Sequence, residues 1–466
     1  MNKQGKISKN LRIIGLMQVF LLIFLVSLAN LAGAADTLVW RTNGVTADIK
    51  SGDLFKTLGR IASQTGWRVY LEPGSVHRVS TKFQNLPQSE ALRMLLGDLS
   101  FAVVPDTNAQ SRLYVFHTTM GNATQLVRAA KAAEAASQTN VIPNELIVRL
   151  KPGASIEALA KLVGAKVIGK IDGMNAYRLR FDDAAATDAA RDQLESQPEV
   201  ASVENNYSIN RPEAAQAVSA SAPPLNLHMN PPPSNGRTII GLIDSAVQPL
   251  GNGLDAFLLK QESMAGDPNL DPSTLTHGTA MAETMLRTFQ QLGNGSSSVN
   301  IKPYDIYGPN EAANTFILAE ALSAAVASGA NPISLSLGST ADSPLVRDLI
   351  QEGSAKGIRF FAAVGNDAAQ QMNYPAADSG STPVTALDRN GQLAPYANQS
   401  GNTAIGALGT VLVPYNGQSF SVSGTSPATA IVSATAGYLM ETGPMTAAQA
   451  NDQLRKNPTK TTIPGK

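Results

Sequence analysis

Residues 238–244 read "TIIGLID", an apolar run that stops at a carboxylate. A short run without polar alternation suits a strand covered on both faces, as in a parallel sheet. Three further runs of this kind follow, "ISLSL" (333–337), "IRFFAAVG" (358–365) and "PVTAL" (383–387). Between them, "FILAEALSAAVASG" (316–329) and "SPLVRDLIQEGSAKG" (343–357) carry helical periodicity and stop at glycine. Strands alternating with helices across residues 237–458 predict an α/β fold, a doubly wound parallel sheet. Such a sheet presents its chemistry at the carboxyl ends of the strands, so the residues just after the apolar runs are the ones to inspect.

Four residues stand at such ends. Asp244 closes the first run, His277 opens a helix in "THGTAMAETM" (276–285), Asn366 ends "FFAAVGN" (360–366) and Ser426 starts a helix in "SGTSPATA" (423–430). Acyl transfer needs this set: a hydroxyl nucleophile, an imidazole to carry its proton, a carboxylate to orient the imidazole and a donor for the oxyanion. Glycines beside them (Gly278, Gly365, Gly424) permit close backbone approach or a tight exit from a strand. Of four histidines, His77 and His117 fall in the first unit and His228 in a proline-rich stretch, which leaves His277 as the one candidate base. Taken singly, Asp244 reads equally well as a helix cap and Asn366 as a turn residue. A bare Gly-Thr-Ser is a weak signal, and order and context carry the reading.

The blocks "IIGLIDSAV", "HGTAMA", "AAVGND" and "SGTSPATA" resemble the subtilisin-like serine proteases, in that family's order, with 33, 89 and 60 residues between the four chemical positions. The resemblance implies a subtilisin-like catalytic domain with Ser426 as nucleophile, His277 as general base and acid, Asp244 as orienting carboxylate, and Asn366 with the Ser426 N–H as oxyanion donors. It further implies that Leu335, Ser336, Leu337 and Gly338, with Tyr307 and Gly308, pair with an extended peptide. Ala362, Ala363 and Gly365 would border the pocket for the residue before the cut bond, with room for a large apolar side chain. Ala246 stands where the family has glycine, and Ala430 and Ile431 replace a Pro-His pair. No cofactor is expected; the family's calcium sites stay an open alternative that no dense carboxylate cluster in the sequence supports.

Upstream, "NELIVRL" (144–150) alternates as a strand and opens a βαββαβ order across residues 143–210, which favours a ferredoxin-like two-layer unit. "NELIVRLKPGAS…VASVENNYSIN" resembles the propeptides of subtilisin-like zymogens. That likeness implies an inhibitory domain and self-cleavage between about residues 207 and 237. Residues 211–236 hold six prolines and are expected to be extended. Residues 119–142 are alanine-rich and polar and read as a linker. Residues 36–118 suggest a second small α+β domain, and "VTADIKSGDLFKTLGRIASQTGWRVYLEP…VSTKFQNLPQSEALRMLLGDLSFAVV" resembles the short N-terminal domain of secretins and TonB-dependent receptors. The resemblance implies docking to a periplasmic or outer-membrane partner. A unit that only spaces its neighbours is the bland alternative.

Residues 1–35 combine Lys3, Lys6, Lys9 and Arg12 with an apolar run from Ile13 to Ala29 and small residues at Ala32–Ala34, the pattern of a signal peptide cut near Ala34 or Ala35. An uncleaved anchor is the competing reading, and membrane contact is expected only in that case. Export of a chain without cysteine points to a bacterial periplasm or exterior. The missing cysteines also exclude disulfides, thiolate metal sites and thiol catalysis. Thirty-six basic against 36 acidic residues leave no footprint for nucleic acid. Two functions therefore stand side by side: an exported, self-processed serine endopeptidase acting on peptides or proteins, and a catalytically weak module docking to an outer-membrane secretion or receptor system.

Overall fold

The computed structural model describes residues 37–127, 140–212, 216–218, 227, 229–230 and 238–456, with gaps at 42–43, 73–74, 76, 106–110, 252, 402 and 444. The expected export signal, His228 and most of the proline-rich stretch lie outside these residues. Among the described residues no helix is long and apolar enough to cross a membrane.

The first unit runs β1 (Thr37–Arg41), β2 (Gly44–Asp53), α1 (Leu54–Thr65), β3 (Arg68–Leu71), β4 (Arg78–Leu86), α2 (Gln88–Leu96), β5 (Ser100–Val104), β6 (Arg112–Phe116) and β7 (Gln125–Val127). It forms two sheets, β1-β2-β4 and β5-β6-β3-β7. Leu58 and Ile61 of α1 and Leu92 and Leu95 of α2, set at helical spacing, close one core with Val69, Leu71 and Val115. The expected boundary at residue 118 is too early. β7 pairs antiparallel with β3, Val69 opposite Val127, and Val127 is buried. Three residues are too few to show alternation, so the linker composition hides this strand.

The second unit follows as β8 (Val141–Leu150), α3 (Ile156–Leu162), β9 (Lys166–Ile171), β10 (Ala176–Arg180), α4 (Ala184–Glu195) and β11 (Val200–Asn210). Its strands lie in the order β11-β8-β10-β9, the two-layer arrangement that the βαββαβ order implies. Leu146, Val148, Leu179 and Leu194 are fully buried between sheet and helices. Asp183 caps α4 by accepting from the Ala186 N–H at 2.8 Å.

The rest comprises β12 (Gln216–Val218), β13 (Ile239–Asp244), β14 (Glu262–Ser263), α5 (His277–Gly293), β15 (Asn300–Asp305), β16 (Ala312–Asn314), α6 (Thr315–Ala327), β17 (Ile333–Leu335), α7 (Pro344–Ala355), β18 (Phe360–Ala363), β19 (Ser381–Leu387), β20 (Ile405–Leu408), β21 (Thr410–Tyr415), β22 (Gln418–Ser423), α8 (Thr425–Thr442) and α9 (Ala447–Lys456). Seven parallel strands order as β14-β15-β13-β17-β18-β19-β20. The alternation of β13 shows why both faces are covered. Ile240 and Leu242 pack with Met281 and Met285 of α5 and Ala430 of α8, whereas Ile243 packs with Leu318 and Leu322 of α6. Each such side chain, fully buried, contributes roughly 1.5–3 kcal/mol. β15 and β20 were not expected, because Lys302 and Pro303 interrupt one apolar run and the other is four residues long.

Candidate active site

The edge of β13 and the caps of two helices bring three of the four chemical residues into place. β13 ends at Asp244, which is wholly buried. α5 starts at His277 because Thr276 caps it, accepting from the Thr279 N–H at 3.2 Å while its own hydroxyl donates to the Ala246 carbonyl at 2.7 Å. The cap thereby ties the helix start to the loop after β13. Gly278 is required here: a Cβ would stand 1.9 Å from the Ser245 carbonyl oxygen. His277 Nδ1 lies 2.8 and 2.9 Å from the two Asp244 oxygens, and Asp244 Oδ1 also accepts from the Ser245 N–H at 2.6 Å. A carboxylate only accepts, so Nδ1 carries the proton and Nε2 keeps its lone pair free.

Ser426 is the second residue of α8, in the first turn, where the helix offers its N–H no partner. Its hydroxyl donates to the Ser336 carbonyl at 3.2 Å, and the Ser336 hydroxyl returns a bond of the same length to the Ser426 carbonyl. The nucleophile candidate thus rests on the strand-end residue Ser336 and not on His277. Asn366 supplies the anchor of the α8 start: its Oδ1 accepts from the Thr425 N–H at 2.8 Å and from the Thr425 hydroxyl at 3.0 Å. A backbone N–H can only donate, so this bond fixes the amide orientation and leaves Nδ2 pointing away as a donor. Gly424, at φ 149°, passes so close that a Cβ would lie 2.9 Å from that Nδ2. Ala246, Ala430 and Ile431, the departures from the family pattern, are buried and pack without displacing any of these groups.

The expected peptide-pairing residues divide. Leu335 is already bonded on both sides, opposite Ile243 and Ala362, and so has no edge to offer. Ser336, Leu337 and Gly338 follow the strand and lie beyond the paired sheet. Ala362 is wholly buried and Ala363 nearly so, while Gly365 turns at φ 109° under the side chains of Asn373 and Asn398. Tyr307 is wholly buried, and its hydroxyl donates to the Asn210 carbonyl at 3.2 Å. The strand that pairs with an extended segment is instead β16, antiparallel to β11: Ser208 opposite Asn314, Ile209 opposite Ala313, Asn210 opposite Ala312. "AAN" has no pattern that marks it as a strand, and its pairing is visible only in the folded chain.

The second unit grips the two helices beside this edge. Glu204 accepts from the Ser343 hydroxyl at 2.6 Å and the Leu345 N–H at 2.9 Å at the start of α7. Asn206 accepts from the Thr315 hydroxyl and the Phe316 N–H at the start of α6, and donates to Glu145 at 2.7 Å. Each helix start leaves N–H groups that an acceptor can satisfy. Burial pushes the Glu145 carboxyl up, but bonds from Arg178, Arg180 and Asn206 outweigh it and hold it below its usual range. After Arg211 the chain continues to Gln216–Val218, which pairs antiparallel with β22, Gln216 opposite Ser421. β22 leads directly into Ser426. The described residues on either side of this segment thus pair with β16 (Ser208–Asn210) and with β22 (Gln216–Val218).

Comparison with known proteins bears on the fold. The profile of the subtilase family matches residues 235–463, and that of the fervidolysin N-terminal prodomain matches residues 127–206. The chain is 30% identical over 184 residues to a thermostable alkaline protease of Halalkalibacterium halodurans, covering 39% of this chain and 50% of that protein. It is 27% identical over 194 residues to subtilisin Savinase of Lederbergia lenta, covering 40% and 71%. The chain thus spans about half the length of the first of these relatives. Among solved structures, fervidolysin of Fervidobacterium pennivorans, a keratinolytic enzyme related to subtilisin, superposes with a TM-score of 0.53 at 18% identity, covering 68% of this chain and 57% of that one. The fold is the mixed α/β subtilisin-like one, with a prodomain-like unit before it.

Proposed function

We propose, for a chain whose C-terminal half is a subtilase-family domain and whose middle is a fervidolysin-type prodomain, that it is an exported serine endopeptidase made as a zymogen that cuts itself. The observation that carries this reading is the Asp244–His277 pair held at 2.8 Å, with Ser426 at the start of α8, a helix packed on the α5 that begins at His277. In this reading Ser426 turns from the Ser336 carbonyl to His277 Nε2, which takes its proton as Oγ attacks the peptide carbonyl. Asn366 Nδ2 and the Ser426 N–H receive the negative charge on the carbonyl oxygen. His277 then returns the proton to the leaving amine, and water, deprotonated by the same imidazole, releases the acyl group.

The first substrate is the chain itself. With β11 paired to β16 on one side and β12 to β22 on the other, the bond that is cut falls among Pro212–Glu213 to Ala215–Gln216. Residues 1–35 act as the export signal, removed near Ala34 or Ala35, and the first unit docks a periplasmic or outer-membrane partner. The resemblances noted above support both assignments.

Intact mass after treatment with a fluorophosphonate tests the reading. The parent should appear as a labelled, truncated species with a new N-terminus between residues 213 and 216, and Ser426→Ala should stay full length and unlabelled. A parent that stays full length and takes no label would reject the enzyme and favour the docking module.

A further inference from the structure

Arg211, the first residue past β11, is held by more bonds than a connecting segment requires. Its N–H donates to the Glu311 carbonyl at 3.0 Å, extending the pairing with the β16 side by one residue. Its guanidinium donates from Nη2 to the Gly308 carbonyl at 2.7 Å and from Nε to the Asn310 carbonyl at 3.0 Å, and lies over the Tyr307 ring, 5.4 Å from its centroid. The peptidase domain shapes this seat. Asp305, wholly buried at the end of β15, accepts from the N–H groups of Tyr307 and Gly308 at 3.0 and 3.1 Å and so fixes the turn. Gly308 adopts φ +54°, and a Cβ there would meet the Ala265 and Gly266 carbonyl oxygens at 2.5 and 2.7 Å. Contacts within the α/β unit itself, apart from those to Arg211, thus hold the turn that carries the two carbonyls. Burial pushes the Asp305 carboxyl up, and the nearby Arg211 charge pulls it back.

We propose that Tyr307, Gly308 and Asn310, positioned by Asp305, form an arginine-selective subsite on the β16 side of the cleft, and that Arg211 occupies it as a substrate arginine would. The proposal rests on the reading of the chain as a peptidase whose first substrate is its own 212–216 segment. A planar guanidinium can serve two carbonyls with two N–H groups and still lay its face on the phenol ring, whereas an ammonium is a point charge that does one of these at a time. A carboxylate in the same place would face two carbonyl oxygens and the buried Asp305 charge.

The probe is an internally quenched peptide with the sequence of residues 208–218, carrying Arg, Lys, citrulline, Ala or Glu at position 211, given to enzyme that has cut itself and been freed of its N-terminal fragment. Citrulline keeps the shape and removes the charge. The arginine peptide should exceed the Ala and citrulline peptides in kcat/KM by about tenfold or more, as loss of charge-assisted bonds implies, with Lys between and Glu lowest. In the full chain, Arg211→Ala should slow self-cleavage in the same sense. Enzyme that is self-processed and labelled at Ser426 yet indifferent to the residue at 211 overturns the subsite alone. Absence of both label and self-cleavage overturns the peptidase reading and the subsite with it.

Discussion

Asp244, His277, Asn366 and Ser426 were legible in the sequence because each sits in a block with its own glycine. The contacts that fix them were not. Asn366 shows the difference: its place after an apolar strand marks it, but only the folded chain shows that Thr425 consumes its oxygen and leaves its amide as a donor. Asn366→Ala should therefore lower kcat by about 10²–10³-fold, equivalent to about 2.7–4 kcal/mol, with little change in KM. Single-turnover kinetics on a peptide ester would check it, and a change confined to KM would remove Asn366 from the charge-stabilising role. Asp305, Glu204 and Arg211 went unread for a plain reason. A lone carboxylate or guanidinium in a polar stretch carries no periodicity, and its partners lie far away in the chain.

The elements around the site carry charges of their own. Glu283 lies on α5, one and a half turns from His277, with 3% exposure and its Oε2 without a hydrogen-bond partner. Burial pushes its pKa up to about 7, against the pull of Arg287. The folded value lies above the unfolded one, so the stability it confers is full below about pH 4.5 and is lost as pH rises through about 7. Stability of the Ser426→Ala chain should fall by up to about 3 kcal/mol between about pH 5 and about pH 8, and Glu283→Gln should flatten that slope. Urea unfolding at both pH values measures it, and an unchanged slope in the variant would place the titration elsewhere. Glu204, also buried, acts across two units at the start of α7. Its loss should cost about 1–3 kcal/mol of hold on the α/β unit, since the Leu345 N–H would be left buried and unpaired. Earlier onset of peptide hydrolysis in Glu204→Ala would report it, and an onset matching the parent would rule it out.

Across the whole molecule the two small units bear on the α/β unit unequally. The second contributes a strand, two helix-start acceptors and Arg211, whereas the first reaches it through small residues such as Ala368 and Ala394 and a 3.3 Å bond from Ser421 to Thr124. A cavity of about 480 Å³, lined by Asn122, Thr124, Arg389 and Ser421 among others, remains between them. A chain lacking residues 37–127 should still cut itself, as gel electrophoresis over time would show; a folded but uncut product would mean that the first unit shapes the cleft through Ser421. By itself the sequence marked three units, a parallel sheet and four candidate residues at strand ends and helix starts, since apolar period and residue type are local properties of the chain. Tertiary structure alone decided that β16 takes β11 as its partner, that Asp305 fixes the turn on which Arg211 sits and that Gln216–Val218 pairs with β22. Each of these depends on carbonyl and N–H groups that every residue carries, and which of them remain unpaired is settled only when distant strands have taken their partners.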